Sequence, residues 1–285
     1  MRKLPTAGMP VQNLETSVNF YVTRLGFTLD EQSAAEDVAC ILDCDGDTFL
    51  LAGPRVADIA HHLAEKHYVF KPDDTLSFRG GDLDTLYAQL RQRGSEDAQL
   101  IEKRWGDRIL SLRDPDGYQL GFISFRERTP AEGMALYMQT VDELEAALTG
   151  LSATDIDLRR EPGSWTIRQI VHHLADSDIL FLPHMQKALR EPGNPYTPNW
   201  PAGNDLVSEP YYTERPIASS VVLYHATHEH VGQLASYIPD AWERSVKVQD
   251  GEEHEESFGT VVTNSLTHAL EHIDEINEIR RMHGK

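Results

Sequence analysis

Cysteine is scarce: Cys40 and Cys44 are the only two in 285 residues. Read as one strand, "VACILDC" puts both on one face, with Cα atoms about 13 Å apart, beyond disulfide reach. Two thiols alone do not build a structural zinc site. Buried, reduced cysteines are therefore expected. Long apolar runs are missing too; none approaches the roughly 18 residues of a membrane span. The opening "MRKLPTAGMPVQ" lacks the apolar core of a signal peptide, so a cytoplasmic protein is the expectation. Positive charge is in deficit, with 26 Lys+Arg against 46 Asp+Glu and a formal charge of −20. Such a surface repels phosphate backbones and anionic lipid, so neither nucleic acid nor membrane is expected as a partner.

What is present suffices for packed cores: 40% of the residues are hydrophobic. The length suggests two domains. The first half repeats itself. "NLETSVNFYVTRLG" carries Val18, Tyr21, Val22 and Leu25 at amphipathic-helix spacing, stopped by Gly26. "DLDTLYAQLRQRG" carries Leu83, Leu86, Tyr87 and Leu90, stopped by Gly94. The caps Asn13 and Asp82 are 69 residues apart, the glycines 68, and the turn residues Asp45 and Asp114 again 69. A short extended run precedes each helix and strand-like runs follow it ("FTLDEQ", "VACILD", "TFLLAG"; then "RILSLR", "YQLGFISF"). Each unit reads β-α-β-β-β, and two such units can pair to close a cleft between curved sheets.

On "NLETSVNFYVTRLGF" and "RWGDRILSLRDPDGYQLGF", residues 4–126 resemble the glyoxalase/bleomycin-resistance/dioxygenase family, the vicinal oxygen chelate fold. Metal-using members carry His or Glu ligands on the first and last strands of the repeats. The histidine positions fall here on Thr6 and Thr75, and the glutamate after "DPDG" falls on Gly121. The resemblance therefore implies the metal-free, ligand-binding branch. Trp105 is a candidate for the wall of a ligand cleft, for the core or for a dimer interface. "IAHHLAEKH", with His61, His62 and His67, reads as an exposed connecting helix.

"RERTPAEG", 126–133, reads as a linker because of Pro130 and Gly133. Beyond it the pattern is helical. The four segments are "MALYMQTVDELEAALTGL", "SWTIRQIVHHLADSDILFLPHMQKALR", "ASSVVLYHATHEHVGQLASYI" and "TVVTNSLTHALEHIDEINEIRRMH". Thr166 and Gln169 have capping-box spacing at the start of the second helix. Residues 192–205 form a Pro/Gly/Asn-rich loop, and a short hairpin is possible near 244–258. The predicted architecture is an α+β domain of paired βαβββ repeats (1–127) followed by an all-α four-helix bundle (128–285).

Helical-wheel arithmetic picks out three histidines. His268 and His272 lie about 40° apart, on the shoulder of the stripe Val262, Leu266, Ala269, Leu270, Ile273 and Ile276. On the second helix, His172 falls roughly 160° from Leu174, on the outside, whereas His173 falls about 100° from it, on a shoulder with Ser177. His173 could thus meet His268 and His272 across a groove. Three neutral imidazoles suit a divalent transition metal and leave coordination positions open. An HxxxH pair is also the ordinary pattern of a half-buried polar edge, and the wheel leaves both readings open.

"GSWTIRQIVHHLADSD" followed by "HALEHIDEI" resembles the DinB-like family of metal-binding four-helix bundles, over residues 132–283. Its three metal-binding histidines map onto His173, His268 and His272. The resemblance implies zinc or nickel, and members include transferases acting on low-molecular-weight thiols. The expectation is a metal-dependent small-thiol S-transferase or hydrolase acting in detoxification, with a front domain that binds a small hydrophobic ligand. The alternative is a non-enzymatic drug- or toxin-sequestering protein. Both resemblances imply a homodimer. No catalytic residue is assigned; Asp176, Asp178, His184, His225, His228 and His230 are candidates for supporting positions, or for solvated or capping ones. Pro183 predicts a kink beside His184.

Overall fold

A computed structural model describes residues 4–44, 46–65, 67–71, 74–198, 209–249 and 253–285. The repeat marker Asp45, residues 199–205 of the predicted loop and residues 250–252 of the predicted hairpin lie outside these. The chain divides into two compact units, Met1–Glu127 and Arg128–Lys285.

The first unit contains the repeat. Strand β1 (Ala7–Pro10) leads into helix α1 (Leu14–Asn19), extended by a π-helical stretch, Phe20–Leu25. Strands β2 (Thr28–Ser33), β3 (Val38–Leu42) and β4 (Thr48–Ala52) follow, and β5 (Tyr68–Val69) borders β1. Strand β6 (Thr75–Arg79), helix α2 (Leu83–Gln92) and strands β7 (Gln99–Glu102), β8 (Arg108–Arg113) and β9 (Gln119–Ser124) repeat the order. Within each copy the first strand pairs parallel to the last: β1 with β4 and β6 with β9. β5 also runs parallel to β1, and the remaining pairings are antiparallel.

Local chemistry explains the periodicity. The Asn13 and Asp82 side chains accept the Thr16 and Thr85 backbone N–H groups, satisfying donors that helix starts leave open. Gly26 closes the first helical segment at φ +82°, a conformation that side-chain-bearing residues rarely adopt. One core joins the copies: Phe78 lies 5.1 Å from Phe27 and 5.2 Å from Phe122, ring centre to ring centre. The "DPDG" turn ties the second copy to the first. Tyr21 donates its buried hydroxyl to Asp114 at 2.9 Å, and Ser17 donates to Asp116 at 2.7 Å.

In the second unit, helices α3 (Pro130–Leu148), α4 (Ile167–Arg190), α6 (Ala218–Ser236) and α7 (Phe258–Met282) form the bundle; α5 (Pro210–Thr213) is a single turn. Strands β10 (Pro195–Tyr196), β11 (Ser245–Val248) and β12 (His254–Ser257) make a small sheet, with β11 and β12 as an antiparallel hairpin. Helix α7 packs on α3 and α4, and α6 packs on the same two. The consecutive helices α3 and α4 therefore stand on a diagonal, and α7, the last helix, lies against α4. This topology is what brings "VHHLAD" beside "THALEH".

Several expectations change here. The predicted linker ends early, because Thr129 and Glu132 form a capping box and Pro130 occupies the first turn. Gly133 is helical; it and Gly259 leave the room that the Trp242 ring fills. Cys44 is exposed rather than buried, because β3 stops at Leu42, and its thiol faces the Arg79 carbonyl. Segment 59–67 holds a 3-10 turn, Ile59–His62, and exposed His61 pairs with Asp58. Helix α4 runs through Pro183 without interruption.

Candidate metal centre

Thr166 and Gln169 form a reciprocal capping box at the start of α4. This cap fixes where the helical turns begin, and with it the direction of His173 about two turns later. On α7 the stripe Val262, Leu266, Ala269, Leu270, Ile273 and Ile276 is fully buried. His268 and His272 stand one turn apart on its shoulder.

The structure brings His173, His268 and His272 together, with one ring nitrogen of each lying within 4.8 Å of the others. His173 Nε2 is 2.9 Å from His268 Nε2. Ring centres are separated by 4.9, 4.9 and 4.7 Å. Burial, reinforced by the positive charge His272 can carry, brings the His173 imidazole down to about 4. Burial, then His272 and His173, hold His268 well below its ordinary range. Both rings are neutral at physiological pH and offer lone pairs, as a transition metal requires. Trp165 packs edge-on to His173 and parallel to His272, and Phe181 lies 6.3 Å from His268. Ser177 Oγ stands 3.5 Å from His173 Nε2. The donor set thus fits a divalent ion by ligand type and by convergence, and His173 and His268 also by protonation state.

Two neighbours of the triad escape the sequence reading. His272 Nδ1 lies 3.1 Å from Glu275 Oε2, and Arg160 donates to Glu275 Oε1 at 2.8 Å. Burial pushes the Glu275 carboxyl upward, but His272 and Arg160 outweigh it and leave it below the usual range. The only sequence signal for Glu275 is its spacing, one turn after His272.

His172 is a correction. It is 0% exposed, not on the outside. Its ring contacts Ser220 Oγ at 2.8 Å and the Arg215 carbonyl at 3.0 Å. The wheel counted one buried seam, against α7, whereas α4 has a second against α6.

The remaining candidates lie apart from the triad. Asp178 is buried, 3.0 Å from His228 Nδ1, and accepts from Ser265. His228 stacks on Tyr137 at 4.0 Å. His184 is buried beside Glu256 and Tyr196. Asp176 accepts from Tyr212 at 2.6 Å. His225 and His230 are exposed. In the front unit, Thr6 and Thr75 are exposed, and Gly121 is buried in β9. Trp105 is buried and donates its indole N–H to Asp107. A cavity of about 650 Å³ opens between α3 and α6 beside Met134, Met138 and Trp242, with no histidine or cysteine in its lining.

Fold and site together define a class: paired βαβββ repeats fused to a helical bundle bearing an imidazole centre. Residues 3–122 match the Glyoxalase/Bleomycin resistance protein/Dioxygenase superfamily, and residues 136–276 match the DinB superfamily. The chain joins a domain of each. A Geobacillus thermodenitrificans protein named "Putative metal-dependent hydrolase" is 24% identical over 183 residues, 61% of this chain and 99% of its own. A Bacillus pumilus protein of the same name is 27% identical over 173 residues, 56% of this chain and 93% of its own. Among solved structures, YfiT from Bacillus subtilis, described as "a probable metal-dependent hydrolase with an unusual four-helix bundle topology", is 19% identical. It aligns with 56% of this chain and 93% of its own at a TM-score of 0.50, a likeness of fold. No described helix is long and apolar enough to cross a membrane.

Proposed function

We propose that His173, His268 and His272 hold a divalent ion, zinc or nickel, and that the protein is a metal-dependent hydrolase of small molecules. The convergence of three imidazoles from two packed helices carries this reading. The names of the two relatives support it. Bound there, the ion supplies Lewis acidity to a water or thiol donor in its open positions. The chain's own residues hold and shield it. α4 and α7 present the ligands from rigid elements, while Trp165 and Phe181 wall the centre with apolar rings, lowering the local dielectric. In the front domain, Thr6, Thr75 and Gly121 stand where metal-using relatives carry ligands. We assign that domain the binding of a small hydrophobic molecule without metal, and the whole chain a homodimeric state.

The test is turnover of activated esters, amides and thiol-reactive electrophiles by zinc- or nickel-loaded protein, with and without a small thiol. The expected result is thiol-independent hydrolysis, abolished by chelator and by His272→Ala. Turnover only with thiol would replace hydrolase by S-transferase. Stabilisation by aromatic drugs in the presence of chelator, with no turnover of any kind, would favour the sequestering protein.

A further inference from the structure

A neutral imidazole has two tautomers, and only the one protonated on Nδ1 can ligate through Nε2. On His272 the acceptor-only carboxylate of Glu275 faces Nδ1, at 3.1 Å from Oε2. The other carboxylate oxygen, Oε1, is held separately by Arg160 at 2.8 Å. Arg160 comes from the segment between α3 and α4, which also supplies Trp165, whose ring lies 14° from parallel to His272. His272 is thus constrained at Nδ1 by hydrogen bonding and on one face by stacking. Arg160 is 43% exposed at its side chain, so its pair with Glu275 adds little stability; its value lies in direction.

We propose that Glu275 is a positioning residue that holds His272 in the Nδ1–H tautomer, with Arg160 fixing the carboxylate, so that Nε2 is the ligating nitrogen. This rests on the metal reading above. A carboxylate behind a ligating histidine sets its orientation and basicity, and losing one costs roughly 10- to 100-fold in metal affinity.

The experiment uses the full chain and zinc alone. Imidazole nitrogen NMR on the metal-free protein reads the His272 tautomer, and competition with a chromophoric chelator reads zinc affinity. Wild type is expected to show the Nδ1–H form. Glu275→Ala is expected to lose that form and weaken zinc binding roughly 10- to 100-fold. Glu275→Gln, whose amide oxygen still accepts, retains the tautomer and most of the affinity. Arg160→Ala falls between, and Glu278→Gln, altering a carboxylate that touches Arg160 at 3.7 Å, behaves as wild type. Wild-type zinc affinity in Glu275→Ala overturns the proposal, as does an unchanged Nδ1–H tautomer. If Glu275→Ala does not fold, Glu275→Gln and Arg160→Ala decide: affinity and tautomer unchanged in Arg160→Ala, or the Nδ1–H form lost in Glu275→Gln, overturns it. If wild type takes up no zinc, the metal reading fails, and the tautomer measurement still decides whether Glu275 positions His272.

Discussion

Acid is expected to loosen the bundle through His184. This side chain is 1% exposed, and burial, helped by the nearby His254, brings its imidazole from 6.5 to about 4. Between those two values the unfolded chain carries a proton that the folded chain excludes. Stability therefore rises with pH across this window. The contribution is intact above about 6.5 and is lost as the pH falls toward 4. At about 1.36 kcal/mol per pH unit, a fall from roughly pH 7 to 4.5 costs about 2.4 kcal/mol at this group alone. That is a large share of a typical stability of about 5–15 kcal/mol. The assay is urea unfolding followed by helical circular dichroism, which reports chiefly on α3, α4, α6 and α7, with chelator present. His173 and His268 contribute slopes of the same sign, so the informative quantity is wild type against His184→Gln. The variant is expected to lose roughly 2 kcal/mol less on acidification. Equal losses in the two proteins would refute the reasoning.

Three further outcomes follow from packing and hydrogen bonding. A Cβ at Gly259 would stand 2.5 Å from Trp242 Nε1, so Gly259→Ala is expected to destabilise by about 1–3 kcal/mol in urea unfolding, against at most about 1 kcal/mol gained in helix propensity; Trp242→Leu relieves it. His172→Ala is expected to lower stability by about 1–3 kcal/mol through the unpaired Ser220 and Arg215 groups while zinc uptake is unchanged, whereas His173→Ala loses zinc; equal effects on zinc at the two positions would contradict the site. Tyr21→Phe removes a buried donor from Asp114 and is expected to cost about 1.5–3 kcal/mol, read as faster amide hydrogen exchange in the strands of the front unit.

The repeat can be read from the chain because its markers act locally. Asn13 and Asp82 cap the residues next to them, and Gly26 and Gly94 take a backbone conformation that few other residues adopt. The three histidines can be found because α4 and α7 are amphipathic, and an angle on a helix is local geometry. What the wheel cannot supply is the number of neighbours. It treats α4 as having one buried face and so puts His172 in water, although α6 covers it. Pairings across long stretches of chain are hidden for the same reason. Arg160 meets Glu275 115 residues later, and Tyr21 meets Asp114 93 residues later. Trp242 sits between two glycines, Gly133 and Gly259, from separate helices. The linker signal misleads on a local point: Pro130, a breaker inside a helix, is also a favoured first residue of one.

Metal titration joined to anomalous X-ray scattering tests the central claim. Protein stripped and reloaded with zinc or nickel is predicted to take up one ion per chain, with an anomalous peak in contact with His173, His268 and His272 and none in the His268→Ala variant. No uptake of either ion, or a peak held by other residues, would contradict it.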